Sequence, residues 1–192
     1  MVMARPSVRE EIVQAGLELF HRHGFNGSSV EDITRSAGVP KGSFYNHFKG
    51  KEDLAHEVLE RFALAQPMAL LRQKDVPPLK RLKRYFAALS EVFIADGCRQ
   101  GCMLGNFSSE LVDHSATMRK DVGARFAGWV DLLAGVIREG QRSGEISSTQ
   151  KPELLAGFLL SAWEGTLLRA RAANDPGIVR DFQTIAFNQL LA

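Results

Sequence analysis

Lys41, Ser43, Tyr45, Asn46 and His47 crowd into a single short stretch and together carry the groups a DNA groove engages. A lysine can donate to guanine O6 or N7, and an asparagine can pair with adenine. Tyr45, His47 and Ser43 are of the types that hold phosphate oxygens, and Lys51 adds a point charge where the next helix starts. Gly42 lets the backbone come close to a duplex, and Ser29, at a helix N-terminus, can cap and meet a phosphate together. From Arg35 to Lys51 the basic residues are Arg35, Lys41, Lys49 and Lys51, with no Asp or Glu among them. A polar helical hairpin without a partner would share part of this pattern. The cleared acids and the flanking elements favour a polyanion groove.

The second constellation is a pair of thiols. Cys98 and Cys102 bracket the turn in GCRQGCMLGNFSSEL, with Arg99 between them. Two cysteines without a histidine at ligand spacing do not make a zinc site, and a disulfide is unexpected in a reducing compartment. Cys102, in the first turn of a helix and near Arg99, has the setting in which a thiolate is favoured. The alternative is a buried, inert cysteine facing the core, and the sequence leaves both open.

Local signals define the elements that must position these groups. Ser28 and Ser29 each have an acid three residues on, Glu31 and Asp32, so a capping box opens a helix in either register. Val30, Ile33 and Ala37 give that helix a buried stripe, Gly38 ends it, and Pro40 suits the first position of the next. In the segment Lys41–Phe48, Phe44 and Phe48 lie one turn apart and face inward, leaving the polar residues outside. Two short helices in this order predict a helix-turn-helix, whose second helix enters the major groove. Glu31 would repel a nearby phosphate, so the helix it begins is a support rather than a reader.

AGVPKGSFYNHFKGKEDL resembles the recognition-helix signature of the TetR family of bacterial transcriptional repressors. The likeness extends to a first helix over Val8–His23 and the HGF turn at His23–Phe25. By this resemblance Lys41, Gly42, Tyr45, His47 and Lys51 occupy DNA-contacting positions, with Tyr45 and Lys51 on phosphates and Lys41 at a base. GCMLGN is similar to the corresponding helix start in a subgroup related to the repressor that senses N-ethylmaleimide, where such a cysteine responds to electrophiles or oxidants. The family also encloses a small-molecule pocket among its middle helices. Cys98, Cys102, Met103, Phe107, Trp129 and Trp163 are the candidates for ligand or signal here, with Phe86, Phe93 and Phe126 beside them. Core packing is the ordinary role of any one such aromatic. A pocket lined this way would take a flat or lipophilic ligand, and the thiol an electrophile.

Composition agrees with these expectations. The chain has 192 residues and is 45% hydrophobic, with a net charge of only +2, so positive character is local and a non-specific coating protein is disfavoured. No apolar run is long enough to span a bilayer, and MVMARPSVREE has no signal-peptide apolar region, so a cytoplasmic location without membrane association is expected. Beyond the head the periodicity is helical throughout. Helices are expected from Lys51 to about Ala65, after Pro77-Pro78 up to Gly97, and from about Cys102 to Val112. A long one closes at Ser143-Gly144, and two more run over Pro152–Ala172 and from near Pro176 to the end. The last two are apolar on more than one side, and for two adjacent helices a second chain is the better explanation.

The expected protein is therefore all-α and TetR-like. A helix-turn-helix head would span 1–53, and a helical ligand-binding and dimerisation bundle 54–192. It would be a homodimeric repressor on a double-stranded, palindromic operator, with half-sites about a turn or more apart (~34 Å per turn). A small molecule or an electrophilic or redox signal would release it. An architectural DNA-binding protein without effector is the competing class, disfavoured by near-neutral charge and a C-terminal part larger than dimerisation requires. No glycine phosphate loop, metal-ligand spacing or catalytic triad points to an enzyme or a cofactor, and Glu110, Asp113 and His114 read as a solvated face.

Overall fold

A computed structural model of the chain describes residues 7–191; the amino-terminal residues 1–6, read above for a signal peptide, lie outside them. Every regular element among the described residues is helical. The chain divides into two compact units: one holds residues up to Gln66 together with Met103–Val122, the other Pro67–Cys102 and Gly123 onward.

The first unit contains α1 (Val8–His23), α2 (Val30–Ser36), α3 (Lys41–Tyr45), α4 (Lys51–Ala65) and a later helix, Met103–Glu110. Ile12, Val13 and Phe20 of α1 close on Ile33, Phe44, Leu54, Val58 and Leu59, all fully buried. Gly16 makes this approach possible: a Cβ there would lie 2.9 Å from Leu54 Cδ2. The Arg61 and Glu10 side chains pair across α1 and α4, as do Arg9 and Glu57. Ser7 caps α1, accepting from the Glu10 N–H at 3.3 Å.

The second unit begins with α5 (Ala69–Arg72), a short helix inside a stretch whose sequence is mixed, and α6 (Pro78–Ala95). Met103–Glu110 is α7, in the first unit, and α8 (Ala116–Ser143) contributes residues to both. α9 (Pro152–Ala173) and α10 (Gly177–Ile185) follow, and α10 runs on as a π-helical turn over Ala186–Leu190 that the periodicity does not announce. Phe86 stands at the centre of this core, with ring centroids 5.6 Å from Trp163, 5.4 Å from Phe182 and 5.9 Å from Phe187. Arg81, fully buried, donates to the Leu71 carbonyl at 3.1 Å and pairs with Glu139, whose carboxyl Arg81 and Lys74 hold below the usual range.

Candidate DNA-reading face and buried thiol cluster

The helix-turn-helix is assembled from local contacts. The capping box forms in one of the two registers: Ser29 Oγ accepts from the Asp32 N–H at 3.1 Å, and Asp32 Oδ2 accepts from the Ser29 N–H at 3.1 Å. Ser28 turns inward and donates to the Leu19 and Gly24 carbonyls at 3.2 and 2.9 Å. Gly38 takes a left-handed φ of 67° after α2, as its place in the turn requires. Phe44 and Phe48 anchor α3 from beneath, their rings 5.6 Å apart, and Arg9 lies 5.3 Å over the Phe48 ring. The helix is shorter than its pattern suggests: α3 ends at Tyr45, although the Phe48 N–H still donates to the Phe44 carbonyl at 2.9 Å.

This frame turns Lys41, Gly42, Tyr45, Asn46 and His47 outward, with Ser43 half-buried and Ser29 exposed at the start of α2. Tyr45 is 57% exposed although its ring sits edge-on to Phe44, 5.3 Å away. An added Cβ at Gly42 would meet nothing within 4 Å, so no internal contact requires a glycine there. Glu31 lies on the same surface, 3.9 Å from Arg35 and 4.0 Å from Lys41. Lys51 is placed differently. Its ammonium donates to the Phe25 and Ser28 carbonyls at 2.7 and 2.9 Å and sits 4.1 Å over the Phe25 ring. Burial pushes its pKa down, with Glu110 opposing. Nothing in its spacing signals this, because the acceptors lie on a distant turn.

The effector candidates separate into four places. Phe107 packs in the first unit, 5.7 Å from Phe20 and 6.1 Å from Phe25, and Met103 is buried in the same unit. Trp163 belongs to the Phe86 cluster, 5.3 Å from Phe182. Cys102 and Trp129 belong to one cluster in the second unit, linked through Tyr85, with Glu164 against the thiol; neither Tyr85 nor Glu164 was named as a site candidate.

Around Cys102 the chemistry is unusual for a core. The thiol hydrogen-bonds the Glu164 carboxyl, which burial raises from 4.5 to about 7, the thiol contact pulling the other way. Glu164 Oε1 has no partner. Tyr85 and Trp129 stand edge to face, centroids 6.4 Å apart, with the phenol directed at the indole N–H. They do not close a bond within ordinary limits, so both polar atoms are buried without a partner. Burial drives the Tyr85 phenol far above its ordinary pKa. A signal for Glu164 existed: it is the one charged residue in the apolar stretch from Leu154 to Leu168. Cys98 is set apart. It sits in a left-handed conformation (φ 59°) after Gly97, and burial, Asp175 and Asp96 push its thiol up. Neither cysteine is in a disulfide. Among the described residues no group of side chains could hold a metal ion, and no helix is long and apolar enough to cross a membrane.

A helix-turn-helix head followed by a second helical unit is the arrangement of a DNA-binding transcriptional regulator. Residues 12–58 match the family described as bacterial regulatory proteins, tetR family, and residues 78–186 the tetracyclin repressor-like C-terminal domain. The chain belongs to the TetR family of transcriptional repressors. It is 41% identical to the HTH-type transcriptional repressor DhaR of Mycobacterium sp. (strain GP1), over 98% of this chain and 95% of that protein. It is 30% identical to the Escherichia coli (strain K12) repressor NemR, over 87% and 85%. Among solved structures, a TetR regulatory protein from Rhodobacter sphaeroides superposes with a TM-score of 0.87 at 29% identity, covering 96% of this chain and 99% of that one. The reduced form of E. coli NemR gives 0.85 at 27%, covering 94% and 95%. These relatives are regulators, not enzymes.

Proposed function

We propose that the protein represses transcription from the cytoplasm as a homodimer on a palindromic operator and is released when a small electrophilic or lipophilic molecule reaches the second unit. The head corresponds to 1–53 and the effector and dimer bundle to 54–192. Lys41 and Asn46 read bases, and Ser29, Ser43, Tyr45 and His47 hold phosphates, with Gly42 admitting the backbone. Lys51 serves from a more internal position: two carbonyls hold its ammonium, so it orders the turn that presents Ser29.

The observation that carries the dimer is the outer face of α9. Leu154, Phe158 and Leu168 are 60, 58 and 64% exposed, at spacings that place Ser161 and Gly165 on the same line, and Ile185 of α10 is 52% exposed. The opposite face of α9 is buried at Leu155, Leu159, Trp163 and Leu167. A helix apolar on both sides needs a second covering layer, and a two-fold pairing of α9 and α10 supplies it as a four-helix bundle. Cys102 is the sensor residue of this reading. It is joined by one peptide bond to Met103, the first residue of α7 in the first unit.

Footprinting with light scattering tests the whole. The expected result is a dimer protecting one short palindrome in the presence of competitor DNA, released by a quinone or aldehyde in the wild type but not in Cys102→Ser. A monomer at micromolar concentration, or uniform protection of any sequence, would sink the repressor-dimer reading. Unchanged release from Cys102→Ser would sink the sensor assignment alone.

A further inference from the structure

Three buried polar atoms without partners belong to one cluster in the second unit: Glu164 Oε1, whose carboxyl the Cys102 thiol hydrogen-bonds, Tyr85 Oη, which faces both, and Trp129 Nε1, beside Tyr85. Tyr85 is fully buried, Trp129 7% exposed and Cys102 8% exposed. Unpaired buried donors are costly, and one explanation for their retention is a ligand that satisfies them. The arrangement has the parts of a site for nucleophilic addition: a thiol, a carboxyl in contact with it, and two N–H/O–H donors with nothing to donate to.

Resting on the reading of Cys102 as the sensor, we propose that Glu164 is the base that activates Cys102 and that Tyr85 and Trp129 receive the oxygen of a small, uncharged α,β-unsaturated carbonyl compound. The thiol proton passes to the Glu164 carboxylate as sulfur bonds the β-carbon. The carbon–carbon π pair moves toward the carbonyl, and the resulting enolate oxygen accepts from the Tyr85 O–H and the Trp129 N–H. Glu164 then returns the proton to the α-carbon. The sum is addition of S–H across the double bond, with nothing oxidised and no leaving group. A carboxylate-bearing electrophile is disfavoured because it would face the Glu164 charge. Cys102 is 8% exposed, which favours a small electrophile. The titratable groups facing Glu164 here are Cys102 and Tyr85. A carboxyl raised to about 7 is poised to take a proton near neutral pH.

Mass spectrometry of the full-length protein, following the Cys102 adduct with time, tests this with two probes: but-3-en-2-one, which builds an enolate, and iodoacetamide, which displaces iodide and builds none. Glu164→Gln is expected to slow both, by about 10-fold or more, and to remove the rise of the wild-type rate through pH ~7. Tyr85→Phe and Trp129→Phe are each expected to slow the enone by about 10-fold or more while leaving iodoacetamide within about 2-fold. Tyr85→Phe deletes only an unpartnered hydroxyl, so it keeps the test open should Trp129→Phe fold poorly. Wild-type rates in all three variants, with Cys102 still modified and DNA still released, would overturn the proposal and leave the sensor reading standing. A wild-type Cys102 that takes up neither probe in the folded dimer would overturn the sensor reading itself.

Discussion

The two units leave their chemistry unfinished in opposite places. In the head, the buried polar side chains are satisfied within one or two turns: Ser28 by the Leu19 and Gly24 carbonyls, Thr34 by those of Val30 and Glu31 at 3.0 and 3.2 Å. Its outward donors stand on the surface, at Lys41, Tyr45, Asn46 and His47. In the second unit the surface of α9 is apolar, and the unpartnered polar atoms are inside, at Arg81, Tyr85, Trp129 and Glu164. DNA is too large to enter a protein, so a reading unit must finish its core and present its donors outward. Under the proposed function a small effector can be enclosed, so the second unit can leave donors waiting within.

That contrast is exposed to direct attack. The largest effect is expected from Phe158→Glu combined with Leu154→Glu. Charge on the outer face of α9 should give a monomer by light scattering and lower operator affinity by about 100-fold or more through lost bivalency. A dimer surviving both changes would mean that the second unit's outer face is not its interface.

Next in size is the pH dependence of stability. Because Glu164 holds its proton more tightly in the folded state, from 4.5 up to about 7, the folded chain binds more protons than the unfolded one across that window. The stability this group contributes is then greatest below about pH 4.5 and falls as pH rises toward 7, by roughly 2–3 kcal/mol, against the opposite trend of the paired carboxylates Glu10 and Glu139. Denaturant titrations should show that fall in the wild type and a flatter profile in Glu164→Gln. Equal slopes in the two proteins would place the carboxyl in solvent.

Lys41→Ala should lower affinity for the intact operator by roughly 5- to 100-fold, equivalent to about 1–3 kcal/mol, relaxing preference at one base pair without changing the melting temperature. A loss that is uniform across sequences would make Lys41 a phosphate contact.

The smallest effect separates folding from reading most cleanly. Gly42→Ala has open space and should stabilise α3 by up to about 1 kcal/mol, yet weaken operator binding measurably. Tighter binding in that variant would show that no backbone approach occurs there.

Most of the head was legible because its determinants are local. Cap, turn and stripe fall within 28–48, and each is a rule about residues a few positions apart. The register of the capping box was not, since Ser28 and Ser29 are equally good caps and only the Leu19 and Gly24 carbonyls decide which turns inward. Lys51 was read as a surface charge for the same reason: its acceptors at Phe25 and Ser28 are reached only after the chain folds back. The effector side was legible as a list of aromatic and sulfur residues and not as a site. Phe107, Trp129 and Trp163 are alike in sequence, yet they go to the Phe20 pair, the Tyr85 pair and the Phe86 cluster.

By itself the sequence determined that the chain is helical, where its helices begin and end to within a few residues, and which short helix carries groups suited to DNA. Those properties follow from hydrogen bonding and side-chain periodicity over single turns. Only the tertiary structure decided that Cys102 hydrogen-bonds a carboxyl whereas Cys98 does not, and that Tyr85 and Trp129 of the same cluster hold their polar atoms unpaired. Desolvation and polar pairing depend on which distant residues close over a group, and no spacing rule encodes that.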